Sequence, residues 1–294
     1  MKTITIAKTE YAADKEIIAE YISAKHTFDD KDRVIEECEF DENGNALRKA
    51  TYEYSPKGNV AVQVEYDESG EILQQMKYEE NEEGEIIKQT HIFSDGSHTI
   101  KAYELKDDDN GYTADVLITD EQGQVLGKEL LKLDDKDNIL LAVEFDEEEN
   151  ENNKLERSYN EEGKLKEEAK YFSGEIEYIK RFTYTAEGKL EQVKTLDGEG
   201  NVLGVESFTY NEKGQQQENN IENRVDQFSV QKEFQWDDKG NITLTLMYRD
   251  GKLIYQSKNE YNEENDLISE DIIEVDWRAG RVERHEKLEY RYGK

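Results

Sequence analysis

Cysteine and proline are nearly absent from this 294-residue chain, which contains one of each, Cys38 and Pro56. A single cysteine excludes an intrachain disulfide. Proline removes a hydrogen bond from a β-ladder, so it is tolerated only at edges, strand starts and bulges. Because Pro56 falls in a predicted turn, no strand position of this sequence is lost to proline.

Basic residues are scarce beside acidic ones: 38 Lys and Arg stand against 71 Asp and Glu, a net charge of −33. This charge repels nucleic-acid phosphates and anionic membrane surfaces, so we expect neither as a partner. It suits solubility, or a partner with a basic surface. The Met1–Ile6 start lacks the apolar core of a signal peptide, and no window approaches about 18 consecutive apolar residues, so we expect a cytoplasmic protein.

Aliphatic residues and Phe are also few, and a high charge with few such residues is typical of disordered chains. However, the chain contains 18 Tyr and 9 Phe, and disordered chains are poor in aromatic residues. A regular repeat, described next, likewise indicates an ordered protein.

One short phrase recurs: an aromatic residue or Leu, then an acidic residue or Asn, two polar residues, Gly, a polar residue and an aliphatic one. Copies occur at Phe40–Leu47, Tyr66–Ile72, Tyr159–Leu165, Tyr210–Gly214 and Trp236–Ile242. The Asp or Asn accepts hydrogen bonds from backbone N–H groups two residues on, and the Gly adopts a left-handed conformation. The phrase therefore predicts a type I turn closed by a β-bulge. Where the Gly is missing, its place is taken by Asp32, by Asp137 or Asn138, and by Asn265.

The copies form two interleaved rows of lead residues. The first row is Phe28, Tyr54, Tyr78, Leu105, Leu133, Tyr159, Tyr184, Tyr210, Trp236 and Tyr261; the second is Phe40, Tyr66, Phe93, Ile118, Phe145, Tyr171, Leu196 and Tyr248, with a weak member near Glu222. Between turns the residues alternate, as in Val60, Val62 and Val64, which is the pattern of half-buried strands. We therefore predict an all-β fold: a repetitive antiparallel β-hairpin meander of about 20 strands with a two-strand repeat of about 26 residues, forming one array over residues 1–294.

The shape of such an array is constrained by strand number, since open twisted sheets rarely exceed about 10 strands. A membrane-spanning sheet would need a continuous apolar band, whereas Glu167, Glu168, Lys180 and Arg181 lie inside predicted strands. We expect an elongated, coiled sheet or a large curled, partly closed one.

Two segments depart from the repeat. Residues 1–27 are an N-terminal cap in one interpretation, because Ile17, Ile18, Tyr21 and Ile22 have helical spacing; a strand is the equal alternative. The run Glu147–Asn153 is predicted to be an enlarged, solvated turn.

Paired aromatic residues give the repeat a family resemblance. The phrase Tyr-x-Tyr-(Asp/Asn)-x-x-Gly-x-Leu resembles the YD repeats of Rhs-type proteins, with Tyr52 and Tyr54, Phe182 and Tyr184, Phe208 and Tyr210, and Phe234 and Trp236 as the pairs. More loosely, the array is similar to MORN-type repeats of antitoxin-like proteins. The resemblance implies β-hairpin repeats, which in Rhs-type proteins build a spiralling shell around a toxin. This chain is shorter and shows neither a toxin domain after the repeats nor a self-cleaving motif.

The sequence contains only weak candidates for metal-binding or catalytic residues. The Asp-rich runs Asp107–Gly111 and Asp134–Asn138 resemble calcium loops only superficially, because turn formation already explains their composition. The histidines, His26, His91, His98 and His285, form no zinc spacing with Cys38. Neighbouring glutamates should raise the pKa of the Cys38 thiol, which disfavours a nucleophile. We therefore predict no catalytic, cofactor-binding or metal-binding residue, no cofactor and no enzymatic activity.

The function expected from these features is a non-enzymatic, cytoplasmic protein-interaction module. In its sharper form it is an immunity or antitoxin-like protein that holds a basic partner, such as a toxin, on an acidic β surface. One alternative is a structural shell or fibre component that self-associates through its terminal strands. Another is a carbohydrate-binding array built on the tyrosines. The sequence singles out no partner-binding residue.

Overall fold

The computed structural model describes residues 2–108 and 111–293, and every regular element within these ranges is a β-strand. The strands are β1 (Lys2–Tyr11), β2 (Ile17–Phe28), β3 (Val34–Phe40), β4 (Ala46–Tyr54), β5 (Val60–Tyr66), β6 (Ile72–Glu80), β7 (Ile86–Phe93), β8 (His98–Asp108), β9 (Gly111–Asp120), β10 (Val125–Asp134), β11 (Ile139–Phe145), β12 (Glu151–Tyr159), β13 (Leu165–Phe172), β14 (Glu175–Tyr184), β15 (Leu190–Leu196), β16 (Val202–Tyr210), β17 (Gln216–Asn223), β18 (Phe228–Trp236), β19 (Ile242–Arg249), β20 (Lys252–Tyr261), β21 (Leu267–Val275) and β22 (Val282–Gly293). The predicted all-β hairpin meander is confirmed.

The sheet closes on itself, so the predicted elongated, coiled or partly closed shape is wrong. Each strand pairs antiparallel with the next, and β1 also pairs antiparallel with β22, from Thr3 opposite Gly293 to Tyr11 opposite His285. Closure is available because the 22 strands are an even number, which makes the first and last strands run in opposite directions. The twist between neighbouring strands accumulates over a sheet of this size and brings its last strand beside its first.

The N-terminal segment belongs to this ring. Residues 17–28 form β2, which pairs with β1 on one side and β3 on the other, so the helical alternative is wrong. Two ladders satisfy the backbone groups of β2, and this outweighs a local helical pattern. The enlarged turn predicted at Glu147–Asn153 is also wrong, because the turn is the ordinary five-residue 146–150 and β12 begins at Glu151.

The repeated phrase folds as predicted. The Asp41 Oδ1 accepts hydrogen bonds from the backbone N–H groups of Asn43 (2.9 Å) and Asn45 (2.8 Å), and Gly44 has a φ of 80°. Pairing shifts register between Glu39 and Phe40, which is the bulge. The three non-glycine substitutes also have positive φ: Asp32 (57°), Asp137 (63°) and Asn265 (76°). Asp137, rather than Asn138, is the left-handed residue of its turn.

The ring has two faces that remain distinct all the way around. One face, which we call the tyrosine face, includes Tyr52, Tyr103, Tyr178, Tyr255 and Tyr290. The accessible surface is 18210 Å², whereas a globular monomer of 34.3 kDa would expose roughly 13,000 Å². The protein is therefore a single layer of strands in which most side chains are only partly buried.

The hairpin turns lie at two opposite ends of the strands. Rim A consists of the turns that follow odd-numbered strands: 12–16, 41–45, 67–71, 94–97, 121–124, 146–150, 173–174, 197–201, 224–227, 250–251 and 276–281. Rim B consists of the described turns that follow even-numbered strands: 29–33, 55–59, 81–85, 135–138, 160–164, 185–189, 211–215, 237–241 and 262–266. The two rims differ in chemistry.

Candidate functional site

Aromatic side chains cap backbone carbonyls along rim B. The Tyr210 hydroxyl donates a hydrogen bond to the Leu190 carbonyl (2.7 Å), and the Trp236 indole N–H donates one to the Gln216 carbonyl (2.8 Å). The same contact is made by Tyr54 to Val34, Tyr159 to Ile139, Tyr184 to Leu165 and Tyr261 to Ile242. Each acceptor lies two residues after the left-handed turn residue, where the bulge interrupts the ladder. These first-row aromatics are therefore structural.

The caps were not predicted, although the sequence contains a signal for them. The first row consists largely of Tyr and Trp, which can donate a hydrogen bond, whereas the second row mixes Tyr with Phe, Leu and Ile. A hydrogen-bond donor on the aromatic side chain is required only where a backbone acceptor lies within reach, and this explains the preference for Tyr and Trp in the first row.

Lysines link neighbouring turns of rim B. The Lys57 ammonium donates to the Asn81 carbonyl (2.6 Å), the Lys189 ammonium to the Gly214 carbonyl (2.5 Å) and the Lys239 ammonium to the Glu263 carbonyl (2.9 Å). Each lysine reaches the next turn along the same rim, 24 or 25 residues away. Rim B is thus held together by its own side chains.

Charges on the strands are largely matched to one another. At the seam between β1 and β22, the Glu286 carboxylate is 2.8 Å from the Lys8 ammonium and also binds the Arg284 guanidinium. Burial opposes ionisation of Glu286, but hydrogen bonds from Arg284 and Lys8 outweigh it and lower the pKa of this carboxyl. Pairs of this kind offset much of the strand charge, since the described strands contain 35 Asp and Glu beside 25 Lys and Arg.

Most of the excess negative charge lies in the turns, and most strongly in rim A. The turns of rim A contain 18 Asp and Glu but 4 Lys and Arg, whereas the described turns of rim B contain 17 and 8. The acidic surface expected from the net charge is therefore found mainly on turns rather than on the β faces.

Rim A also carries most of the exposed apolar side chains. Twelve of the large hydrophobic residues that are exposed lie in a rim A turn or within two residues of one: Ile17, Ile18, Leu47, Ile72, Leu73, Phe93, Val125, Leu126, Phe172, Ile176, Val225 and Val282. Only two, Ile87 and Ile268, stand equally close to a described turn of rim B. Clustered exposed apolar residues mark interaction surfaces, so rim A is the candidate functional site.

The candidate metal loops are explained as turns wherever they are described. The Asp134 Oδ1 accepts hydrogen bonds from the backbone N–H groups of Lys136 (2.9 Å) and Asn138 (2.8 Å). The other loop, Asp107–Gly111, lies partly outside the described residues. Within residues 2–108 and 111–293, no group of three or more His, Cys, Asp or Glu side chains is placed to hold a metal ion.

The four histidines and the cysteine are not brought together. His26 contacts Glu37 (3.3 Å), His91 contacts Gln74 (2.7 Å) and His285 contacts Asp271 (2.9 Å). His98 begins β8 and pairs with Ile92, the residue next to His91 on β7, so the two histidines lie on opposite faces of the sheet. Burial and the neighbouring Glu36 raise the pKa of the Cys38 thiol, in the direction predicted.

An open cavity of about 450 Å³ lies on the tyrosine face. Arg157, Glu168 and Tyr178 line it and bind one another: the Arg157 Nε donates to Glu168 (2.9 Å), and the Tyr178 hydroxyl donates to the same carboxylate (3.2 Å). These three polar groups already bind one another.

None of the described residues belongs to a helix that could cross a membrane.

No family model matches the chain, and no curated protein matches it. Among solved structures, the chain is similar to one titled TcdB2-TccC3-Cdc42, with 13% identity and a TM-score of 0.40 over 84% of this chain and 17% of the other. The Photorhabdus luminescens Tc holotoxin pore gives 12% identity and a TM-score of 0.34 over 89% and 19%. A porin-like protein from Bacteroides uniformis gives 11% identity and a TM-score of 0.31 over 99% and 96%. The chain thus spans less than a fifth of the first two of these chains.

Proposed function

We propose that this chain is a non-enzymatic interaction module that binds a protein with a basic surface through rim A. The observation that supports it is the distribution of charge: the described strands contain 35 acidic and 25 basic residues, whereas the much shorter rim A turns contain 18 and 4. An exposed rim of one sign attracts an oppositely charged partner over several ångströms and accelerates its association.

The sharper form of the proposal is an immunity or antitoxin-like protein of the YD-repeat type that acts in the cytoplasm on a basic toxin. The closed ring favours capture by a rim over enclosure of the partner by a spiralling shell. Rim B suits the scaffold role, since its tyrosines and lysines bind neighbouring backbone carbonyls.

The test is affinity capture from the native host with three baits. The first is the unchanged protein; the second carries Glu42→Gln, Glu68→Gln, Glu71→Gln and Glu147→Gln on rim A; the third carries Glu82→Gln, Glu83→Gln, Glu161→Gln and Glu264→Gln on rim B. We expect the unchanged bait and the rim B variant to retain the same basic protein at low salt, and the rim A variant to lose it. Equal capture by both variants, or a partner whose association rate ignores salt, would refute the proposal.

The alternatives have less support from the structure. Self-assembly through terminal strands needs free edges, yet β1 and β22 are each paired on both sides. A carbohydrate array needs exposed aromatic platforms, whereas the first-row hydroxyls are used as caps.

A further inference from the structure

We infer that the segment bound by rim A is a basic amphipathic polypeptide whose apolar side chains pack on one arc of five successive hairpins. This inference rests on the proposed function and specifies the partner's chemistry. The arc comprises Ile17, Ile18, Leu47, Ile72, Leu73, Phe93, Val125 and Leu126, which we call the apolar arc.

The members of the apolar arc lie beside five successive turns of one rim. Its residues flank the turns 12–16, 41–45, 67–71, 94–97 and 121–124, which are successive turns of rim A. Strands lie about 4.8 Å apart, so successive hairpins on one rim are spaced by about 10 Å and five of them span about 40 Å. The next turn, 146–150, has no exposed large apolar residue beside it in the described chain, and there the arc ends.

The side chains of the arc are too exposed to serve the fold. Ile17 and Ile18 are 60% and 66% exposed, and Ile72 is 50% exposed. Single exposed apolar residues are ordinary, but their recurrence at five successive charged turns is typical of a surface that another molecule covers.

The charge of the turns in the arc indicates which kind of molecule binds there. The five turns of the arc contain nine acidic residues and one basic residue, Lys15. Turn hydrogen bonds lower the pKa of Asp41, Asp67 and Asp95, so these carboxylates are ionised at neutral pH. A second copy would bring like charges together, and an anionic membrane would be repelled. A polypeptide that carries Lys or Arg beside its apolar residues is complementary to the exposed apolar side chains of the arc and to the acidic turns that border them.

The experiment uses two synthetic 12-residue peptides, since an extended chain of that length covers about 40 Å. One contains equal numbers of Leu and Lys; the other has Ser in place of Leu and the same number of Lys. Binding of each labelled peptide to the full chain is measured by fluorescence anisotropy at several salt concentrations. We expect the Leu/Lys peptide to bind at least tenfold more tightly, and both peptides to bind more weakly as salt rises.

Variants then locate the site. The variant Ile72→Ser with Leu73→Ser removes apolar side chains from the middle of the arc, and Phe172→Ser with Val225→Ser is the control on the same rim outside the arc. We expect the first pair to weaken Leu/Lys binding about tenfold without changing its salt dependence or the binding of the Ser/Lys peptide, and the control pair to change neither. Circular dichroism and melting curves establish that the variants, altered at exposed positions, remain folded.

The contrary outcomes are distinguishable. Equal affinity for the two peptides, with salt dependence retained, overturns the apolar arc but leaves the proposed function standing. Absence of binding by both peptides counts against the proposed function itself. Binding to phosphatidylcholine vesicles, or concentration-dependent oligomers, that the Ile72→Ser, Leu73→Ser variant abolishes would replace the peptide with a membrane or with a second copy.

Discussion

On rim B, the hydroxyl groups of tyrosines at strand ends donate hydrogen bonds to backbone carbonyls beside the neighbouring turn. At six turns of rim B, the carbonyl two positions after the left-handed residue accepts a hydrogen bond from an aromatic side chain on the next even-numbered strand. Burial raises the pKa of Tyr184 and Tyr210, so both hydroxyls keep their protons at neutral pH. At these turns the repeat therefore contributes two stabilising features, the left-handed residue and its aromatic cap.

Removing one cap should have a measurable cost. Tyr210→Phe deletes the hydrogen bond to the Leu190 carbonyl (2.7 Å) and keeps the ring. We expect the free energy of unfolding to fall by about 1 kcal/mol. Tyr66→Phe, which alters a second-row tyrosine at rim A, is the control and should change it by less than about 0.5 kcal/mol. Equal effects in urea denaturation would contradict a special role for the caps.

Acid should weaken one turn in a predictable pH window. Hydrogen bonds from Arg33 lower the pKa of Asp29 from 3.8 to about 2. A carboxyl with a depressed folded-state pKa stabilises the fold above its unfolded pKa, and this stabilisation is lost as pH falls through the folded value. We therefore expect Asp29→Asn to lower the melting temperature at pH 7, and the difference from the unchanged protein to shrink between about pH 4 and pH 2.

The control for this titration is Asp30→Asn in the same turn, which should leave the melting curve nearly unchanged over that range. A gap between Asp29→Asn and the unchanged protein that stays constant down to pH 2 would show that ionisation of Asp29 does not stabilise the turn.

Local chemistry at the residue scale was largely predictable from the sequence. The left-handed positions of Asp32 and Asn265 were identified because Asn and Asp tolerate positive φ. The turn 12–16 lacks the Gly of the repeated phrase, yet Lys15 adopts the same conformation with a φ of 72°. The lysine contacts on rim B were missed because Lys189 and Gly214 are 25 residues apart and meet only once the sheet has formed.

At the scale of the hairpin, stability depends on the left-handed residue of the turn. Gly214 and Gly44 both have a φ of 80°, but a Cβ at Gly214 would meet the Lys189 side chain, whereas one at Gly44 would meet nothing within 4 Å. We expect Gly44→Val to lose about 1 kcal/mol or more from backbone strain alone, and Gly214→Val to lose more because the Lys189 contact is also disturbed. An unchanged denaturation midpoint for Gly44→Val would show that the bulge assignment is wrong.

The seam between β1 and β22 should be sensitive to its buried carboxylate. Glu286 is 3% exposed and binds both Lys8 and Arg284, so Glu286→Gln leaves two cations with a weaker partner. We expect a loss of about 2 kcal/mol, below the cost of breaking a fully buried pair because Arg284 is half exposed. Faster amide exchange confined at first to β1 and β22 would accompany it. Glu289→Gln, on the opposite face of β22, is the control and should cost little.

The β2 strand shows why element type was ambiguous in the sequence. Pairing with β1 shifts register between Ile6 and Ala7, which places an extra residue in β2 and breaks its alternation. Tyr21 and Ala24, three residues apart, consequently lie on one face, as they would in a helix. A bulge in a strand imitates helical periodicity over a short window.

Closure of the sheet could not be predicted from the sequence, because it depends on pairing between residues that are up to 290 positions apart. Thr3 pairs with Gly293, and neither residue belongs to a copy of the repeated phrase. Hairpin turns specify each strand's next neighbour, but the number of strands per turn of the sheet depends on small twists that add up around the ring.

The closed ring should remain monomeric. Every described strand edge is paired, and the net charge of −33 repels a second copy. We expect sedimentation velocity to give a single species near 34.3 kDa at all concentrations up to about 100 µM at neutral pH and moderate salt. Concentration-dependent polymers would instead favour the self-associating shell or fibre component.

The pairing of β1 with β22 also limits how such a protein can change in size over generations of gene duplication. Adding or deleting one two-strand unit keeps the strand number even, so the first and last strands still meet antiparallel. Gain or loss of a single strand would make them parallel and mismatch the ladder at the point of closure. Descendants of this gene should therefore differ by whole units of about 26 residues, each widening the circle by two strands.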